Sequence, residues 1–210
     1  VIAIVDYGMG NLRSVEKACE RAGMDVFLTD DCAMVEQADA VILPGVGAFK
    51  RAMENLRVRG LIPSLEKVVQ DGRPFLGICL GLQLLFDGSE ESFGQGLVPG
   101  LGLIPGRVRR FPPGLKVPQM GWNQIDAVRR DPLMMGVPDH SYMYFVHSYF
   151  ADPSDDSCIL TTTDYGISFT SSAAVGNLYG IQYHPEKSSR MGMTILRNFG
   201  AIVDDYISSH

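Results

Sequence analysis

Gly77-Ile78-Cys79-Leu80-Gly81 sets a cysteine in a glycine-flanked turn, after the apolar run at 74–78 and before the apolar segment at 82–86. Strand, Gly-x-nucleophile-x-Gly, helix is the order of a nucleophile elbow, which lifts a reactive side chain above a sheet. The two glycines leave room for so tight a turn. A helix starting there would bring backbone N–H groups to the sulfur and favour thiolate over thiol. The Leu80 N–H would face an oxyanion forming beside Cys79. Segment 82–86 is hydrophobic on nearly all sides, so a helix buried at the centre is expected there.

A thiolate that attacks an amide needs an acid for the departing amine and a base for the water that follows. The chain offers His140, His147, His184 and His210. His184 stands in Gly180-Ile181-Gln182-Tyr183-His184-Pro185-Glu186-Lys187, where a strand is expected to end. Pro185 biases it towards extended backbone, in which residues two apart point to one side. Glu186 can then reach the imidazole, fix its tautomer and stabilise the imidazolium. A second oxyanion donor is sought in Leu43-Pro44-Gly45-Val46-Gly47, at the strand ends where ligands bind. Its candidate is the Val46 N–H. This turn is a poor phosphate loop, because no Lys-Ser/Thr follows it.

The elements that must hold these residues follow from periodicity. Unbroken apolar runs at 1–5, 26–28, 40–43 and 75–78 read as parallel strands buried on both faces. Between them, Leu12, Val15, Cys19 and Ala22 form one helical stripe, with Asn11 as N-cap and Gly23 as stop. Phe49, Ala52, Met53 and Leu56 form a second, closed by Gly60. Ile62, Leu65, Val68 and Val69 form a third, closed by Gly72. This βαβ series predicts a parallel sheet with helices on both faces. Strands at 107–111, 116–125, 142–150, 159–163, 168–175 and 178–183, mostly joined by short turns, predict antiparallel additions, and 191–207 reads as a last helix. With no repeat, low-complexity tract or linker, residues 1–210 are expected to form a single α/β domain.

Composition excludes several classes. Of 210 residues, 46% are hydrophobic and 20% charged, and the net charge of -6 comes with no basic block. The electrostatic footprint of nucleic-acid binding is therefore missing. No apolar run approaches the roughly 20 residues of a membrane span. Cys19, Cys32, Cys79 and Cys158 have neither C-x-x-C spacing nor a neighbouring His cluster. Neither a metal site nor a disulfide framework is expected, and a reducing cytoplasmic compartment is.

Pro-Gly-Val-Gly, then Gly-Ile-Cys-Leu-Gly-Leu-Gln-Leu-Leu, then Gln-Tyr-His-Pro-Glu-Lys-Ser resemble, in that order, the triad-type (class I) glutamine amidotransferases. Three further stretches resemble the branch of that family that serves histidine biosynthesis. They are Asp6-Tyr7-Gly8-Met9-Gly10-Asn11-Leu12-Arg13-Ser14-Val15, Val117-Pro118-Gln119-Met120-Gly121-Trp122-Asn123 and Tyr144-Phe145-Val146-His147-Ser148-Tyr149. The resemblance implies a three-layer sandwich with a largely parallel central sheet and extra antiparallel strands in the second half. It implies that Cys79 attacks the side-chain amide of glutamine, that His184 protonates the ammonia and activates water, and that Glu186 orients His184. Gly47, Gln83, His147, Ser148 and Tyr149 match substrate-binding positions. No cofactor is implied. The implied partner is a (β/α)8-barrel cyclase subunit, where ammonia meets a phosphoribulosyl formimino nucleotide to give imidazole glycerol phosphate and an aminoimidazole carboxamide ribotide. Asn11, Ser14, Met120, Trp122, Asn123 and Lys187 match positions facing that partner. One departure is Gln119, where many relatives carry His. Two other readings stay open, a self-sufficient γ-glutamyl hydrolase and a non-catalytic binding subunit on the same scaffold.

Overall fold

The computed structural model describes residues 1–92 and 96–210. The first half follows the expected series: β1 (Ile2–Val5), α1 (Leu12–Arg21), β2 (Val26–Thr29), α2 (Cys32–Gln37), β3 (Ala40–Gly45), α3 (Phe49–Val58), α4 (Leu61–Gln70) and β4 (Phe75–Cys79). Strands β2, β1, β3 and β4 pair in parallel in that spatial order. Their residues from Ile2 to Val5, Ala40 to Gly45 and Phe75 to Cys79 are all buried, as unbroken apolar runs require. Each buried Leu, Ile or Phe of these strands contributes about 1.5–3 kcal/mol relative to exposure. The expected stops at Gly23, Gly60 and Gly72 all have positive φ.

Three expectations change here. Strand β2 is the edge of the sheet and is not buried on both faces: Val26 and Phe27 are half-buried and Leu28 is exposed. The six-residue α2 has no apolar stripe long enough to read in the sequence; Asp31 starts it, its carboxylate accepting the N–H of Ala33 and of Met34. Asn11 does precede α1, but its side chain makes no capping hydrogen bond.

The remaining elements are α5 (Leu80–Leu84), β5 (Phe86–Ser89), β6 (Val98–Pro99), β7 (Ile104–Arg110), β8 (Gln119–Ala127), β9 (Ser141–His147), β10 (Tyr149–Pro153), β11 (Ile159–Asp164), β12 (Ser168–Val175), β13 (Leu178–Ile181) and α6 (Ser189–Ser209). The central helix starts two residues earlier than expected, and Phe86 opens a strand instead of closing the helix. The stretch 142–150 is two strands broken at Ser148, and the stretch from 116 becomes strand only at Gln119. Strand β13 inserts in parallel beside β4, and β12, β10 and β7 extend the sheet antiparallel. Strands β8 and β9 form a ribbon that joins this sheet through β11.

Glycines let α5 lie directly on the sheet. A Cβ on Gly77 would stand 2.6 Å from the Gly81 carbonyl, and one on Gly81 would strike the Leu43 carbonyl. The helix is therefore clamped over β3 and β4, with its first residue fixed at the cysteine.

Candidate active site

Cys79 ends β4 with φ 56 and ψ -110, a conformation that L side chains rarely adopt. Such strain costs about 1–3 kcal/mol and persists only where its surroundings enforce it. Here they are the β4–β13 and β3–β4 ladders on either side and α5 above. The elbow is formed as the sequence predicts. Because α5 has only five residues, it acts on the sulfur through its first N–H groups more than through a long dipole.

Among the described residues, two protein groups stand at hydrogen-bond distance from the sulfur. The Val146 carbonyl lies 3.9 Å away, and the Gln182 side-chain amide donates at 3.7 Å. His184 presents its Nε2 on the same side without a hydrogen-bond partner, while its Nδ1 bonds Glu186 Oε1 at 2.8 Å. Both side chains are 3% exposed. Burial disfavours the imidazolium, yet the Cys79 sulfur and the Glu186 carboxylate outweigh it and raise the His184 pKa to about 10. Cys79, His184 and Glu186 thus come together in an arrangement that can supply a nucleophile, a proton carrier and an orienting carboxylate. Catalytic hydrogen bonds are often long before substrate binds.

A cleft of about 260 Å³ opens over the sulfur, lined by Val46, Gly47, Leu80, Gln83, Glu91, His147, Ser148 and Tyr149 among others. Every expected oxyanion and substrate residue therefore borders one cavity. Gln83 is buried, with its Nε2 donating to the Tyr149 carbonyl at 2.9 Å and to Gln182 Oε1 at 3.0 Å. His147 forms a wall: its Nδ1 donates to the Tyr149 carbonyl at 2.8 Å, and its Nε2 lies 2.8 Å from Gln119 Oε1.

Burial holds His147 down at about 4, with the His184 charge adding to the effect and the Tyr149 carbonyl opposing it. A neutral imidazole has one N–H, already given to Tyr149, so Oε1 opposite Nε2 would set two acceptors together, and the Gln119 amide exchanges its O and N positions to donate there. The departure at Gln119 thereby gains a role as a donor, which a neutral histidine also supplies. Gln119→Leu is expected to orphan Nε2 and cost about 1–3 kcal/mol, seen as a drop of several degrees in Tm. Gln119→His should keep most of that stability; equal losses in the two variants would remove the donor argument.

Two residues of the site were missed in the sequence. Glu91 is half-buried, accepts the Phe49 N–H at 2.9 Å, and is the only carboxylate lining the cleft among the described residues; burial raises its pKa. It lies in the polar run Gly88-Ser89-Glu90-Glu91-Ser92, which reads as a solvated turn. Gln182 stands two residues before His184, so the alternation that pairs His184 with Glu186 could have found it.

The expected partner-facing residues fall in two groups. Asn11 and Lys187 border a constriction of about 10 Å³ beside Gly45, Val46, His184 and Glu186, and Ser14 lies one turn along α1. Met120 and Trp122 lie on the exposed face of the β8–β9 ribbon, 65% and 50% exposed. There Trp122 meets Tyr144 edge-on at 5.9 Å, and Lys187 sits 5.9 Å over the Tyr144 ring. Asn123 points to the opposite face, its amide donating to the Asp164 carbonyl at 2.8 Å. A larger cavity of about 440 Å³, under Pro132 and Met134, lacks any nucleophile–base pair. Asp126, Asp139 and His140 cluster on the surface, where Asp126 already holds the imidazole at 2.7 Å.

Comparison with known proteins identifies the family. The family model for class-I glutamine amidotransferases matches residues 3–203. The imidazole glycerol phosphate synthase subunit HisH of Moorella thermoacetica is 53% identical over 202 residues, 96% of this chain and 95% of that one. The HisH subunit of Methanothermobacter thermautotrophicus is 51% identical over 203 residues, 97% and 99% of the two chains. Among solved structures, a glutamine amidotransferase aligns with a TM-score of 0.75 at 18% identity over 97% of this chain and 99% of its own. PurLQS from Thermotoga maritima aligns at 0.72 and 17% identity over 98% of each. At such identities these two speak for the fold alone.

Proposed function

The chain belongs to the class-I glutamine amidotransferases, and on that premise we propose that it is the glutaminase subunit of an imidazole glycerol phosphate synthase. The observation that carries the chemistry is the buried 2.8 Å His184–Glu186 bond, which leaves Nε2 to the strained Cys79. The relatives' names carry the choice of synthase.

Glutamine enters the cleft with its α-ammonium towards Glu91 and its side-chain amide over Cys79. The sulfur bonds to the amide carbon, and the carbonyl oxygen takes the negative charge, facing the N–H groups of Leu80 and Val46. His184 gives its proton to the departing nitrogen as the C–N bond breaks, leaving a γ-glutamyl thioester and ammonia. Water then adds to the thioester, His184 takes its proton, and glutamate leaves with the thiol restored. Glu186 holds the imidazole in the tautomer both steps need. Neither step calls on a cofactor or a metal.

Ammonia leaves through the constriction between Asn11, Gly45, Val46 and Lys187, whose volume suits one small molecule. Beyond it, the exposed apolar face of Met120, Trp122 and Tyr142 meets a (β/α)8-barrel cyclase. That enzyme joins the ammonia to its phosphoribulosyl formimino nucleotide. No helix among the described residues is long and apolar enough to cross a membrane. The four thiols are free, which suits the reducing cytoplasm.

Ammonia release from glutamine, measured with and without the barrel subunit and its nucleotide, tests this reading. We expect slow release alone and an increase of at least about 100-fold in the loaded complex, the scale of one oxyanion donor brought into place. Full activity without a partner would sink the partner-gated reading and favour a self-sufficient hydrolase. No release from the complete complex would leave only a binding role.

A further inference from the structure

Four buried side-chain oxygen or nitrogen atoms lack a hydrogen-bond partner among the described residues, and three of them flank the Cys79 turn. Two of the three belong to His184 and Glu186, whose roles are set out above. The third is the hydroxyl of Tyr7, fully buried just past β1, and no step of the reaction yet uses it. An unpaired buried hydroxyl weakens a fold, and the phenylalanine side chain would fill the same space without that penalty.

The position of the hydroxyl is specific. A Cβ on Gly45 would collide with it, and would also meet Leu80 Cβ at 3.1 Å and the Gly81 nitrogen at 3.4 Å. The phenol is therefore wedged between the end of β3 and the first turn of α5. These are the two backbone segments whose N–H groups border the cleft. Gly45 pairs with Cys79 across the β3–β4 ladder. Burial, and then the nearby Cys79 sulfur, raise the phenol pKa, so the group stays protonated as a donor.

The peptide between Gly45 and Val46 is planar, with its N–H and C=O on opposite sides. When that unit turns its N–H into the cleft, its carbonyl swings towards the protein interior. A buried carbonyl needs a donor. Gly45 has no side chain to obstruct the turn, and the Val46 side chain is exposed. At present the Tyr7 hydroxyl has no partner, so the Gly45 carbonyl is not on it.

We propose that Tyr7 is a positioning residue for the oxyanion hole. Its hydroxyl donates to the Gly45 carbonyl when the Gly45–Val46 peptide presents its N–H to the tetrahedral intermediate, and stands unpaired at rest. The proposal rests on the glutaminase reading given above.

Tyr7→Phe removes only the hydroxyl. In the complex with the cyclase subunit and its nucleotide, glutamine-dependent kcat should fall about 10-fold, the scale of one hydrogen bond lost from the transition state. KM for glutamine should stay within about twofold, as an interaction absent from the ground state requires. Synthesis from added ammonia should be unchanged, and Tm of the isolated subunit equal to or above that of the wild type. Wild-type kcat in Tyr7→Phe overturns the proposal. So does a lowered Tm with equal losses in glutamine- and ammonia-dependent synthesis, the pattern of a packing defect. A wild-type complex that releases no ammonia from glutamine overturns the glutaminase reading itself, and the proposal with it.

Discussion

With Cys79→Ala, the complex is expected to make product from added ammonia at the wild-type rate and from glutamine at least about 10⁴-fold more slowly. The sulfur is the one group in the cleft that both sits on the strained elbow and faces His184. Ser148 and Tyr149 border the same cavity, but among the described residues neither side chain hydrogen-bonds an imidazole. Deleting the thiol therefore leaves nothing to form the thioester, while the partner's chemistry needs only ammonia. Loss of both activities would mean that Cys79 acts through folding. The backbone provides a control: alanine keeps the Cβ that makes φ 56 costly, whereas glycine does not. Cys79→Gly should be equally dead with glutamine yet more stable than Cys79→Ala by about 1 kcal/mol. An elbow held without strain would show no such difference.

Glu186→Gln is expected to cost about 10²–10⁴ in kcat/KM for glutamine and to change the shape of the pH profile. The carboxylate accepts from His184 Nδ1 inside the protein, where no solvent replaces it. A glutamine there keeps the volume but not the charge. With the carboxylate present, the imidazole pKa stands at about 10, above its ordinary 6.5. The protonated form, and the stability it lends, is fully present below 6.5 and is lost as pH rises through about 10. Since the leaving nitrogen needs that proton, kcat/KM should fall on the alkaline side over the same range. Without the carboxylate the folded pKa drops, so the alkaline limb moves to lower pH. An unmoved limb would show that Glu186 does not stabilise the imidazolium.

Much of this was legible in the sequence because the site sits where local signals are strongest. Strands β1, β3 and β4 are buried on both faces, so their apolar runs are unbroken, and a cysteine between glycines after such a run has few other uses. The less legible parts have physical reasons. Leu82 to Phe86 is apolar except for Gln83 and buried throughout, and periodicity cannot show that helix gives way to strand within a wholly buried segment. The break between β9 and β10 falls at Ser148, with no Gly or Pro to mark it. Glu91 looks like a surface charge because the cleft that half-buries it is closed by residues more than fifty positions away, His147 to Tyr149. Tyr7 reads as part of a turn, and only the fold sets its hydroxyl against Gly45.

The β8–β9 ribbon has one end at the cleft, through His147 and the Gln119 side chain bonded to it, and an exposed face a few residues away, at Trp122. These positions are rungs three apart on a single two-stranded ladder, joined through the Met120–Val146 and Gly121–Phe145 pairs. Thermodynamic reciprocity then applies: whatever factor docking at Trp122 contributes to glutamine affinity, bound glutamine returns to the docked partner. Where docking tightens glutamine binding, substrate on this subunit holds the complex together by the same factor.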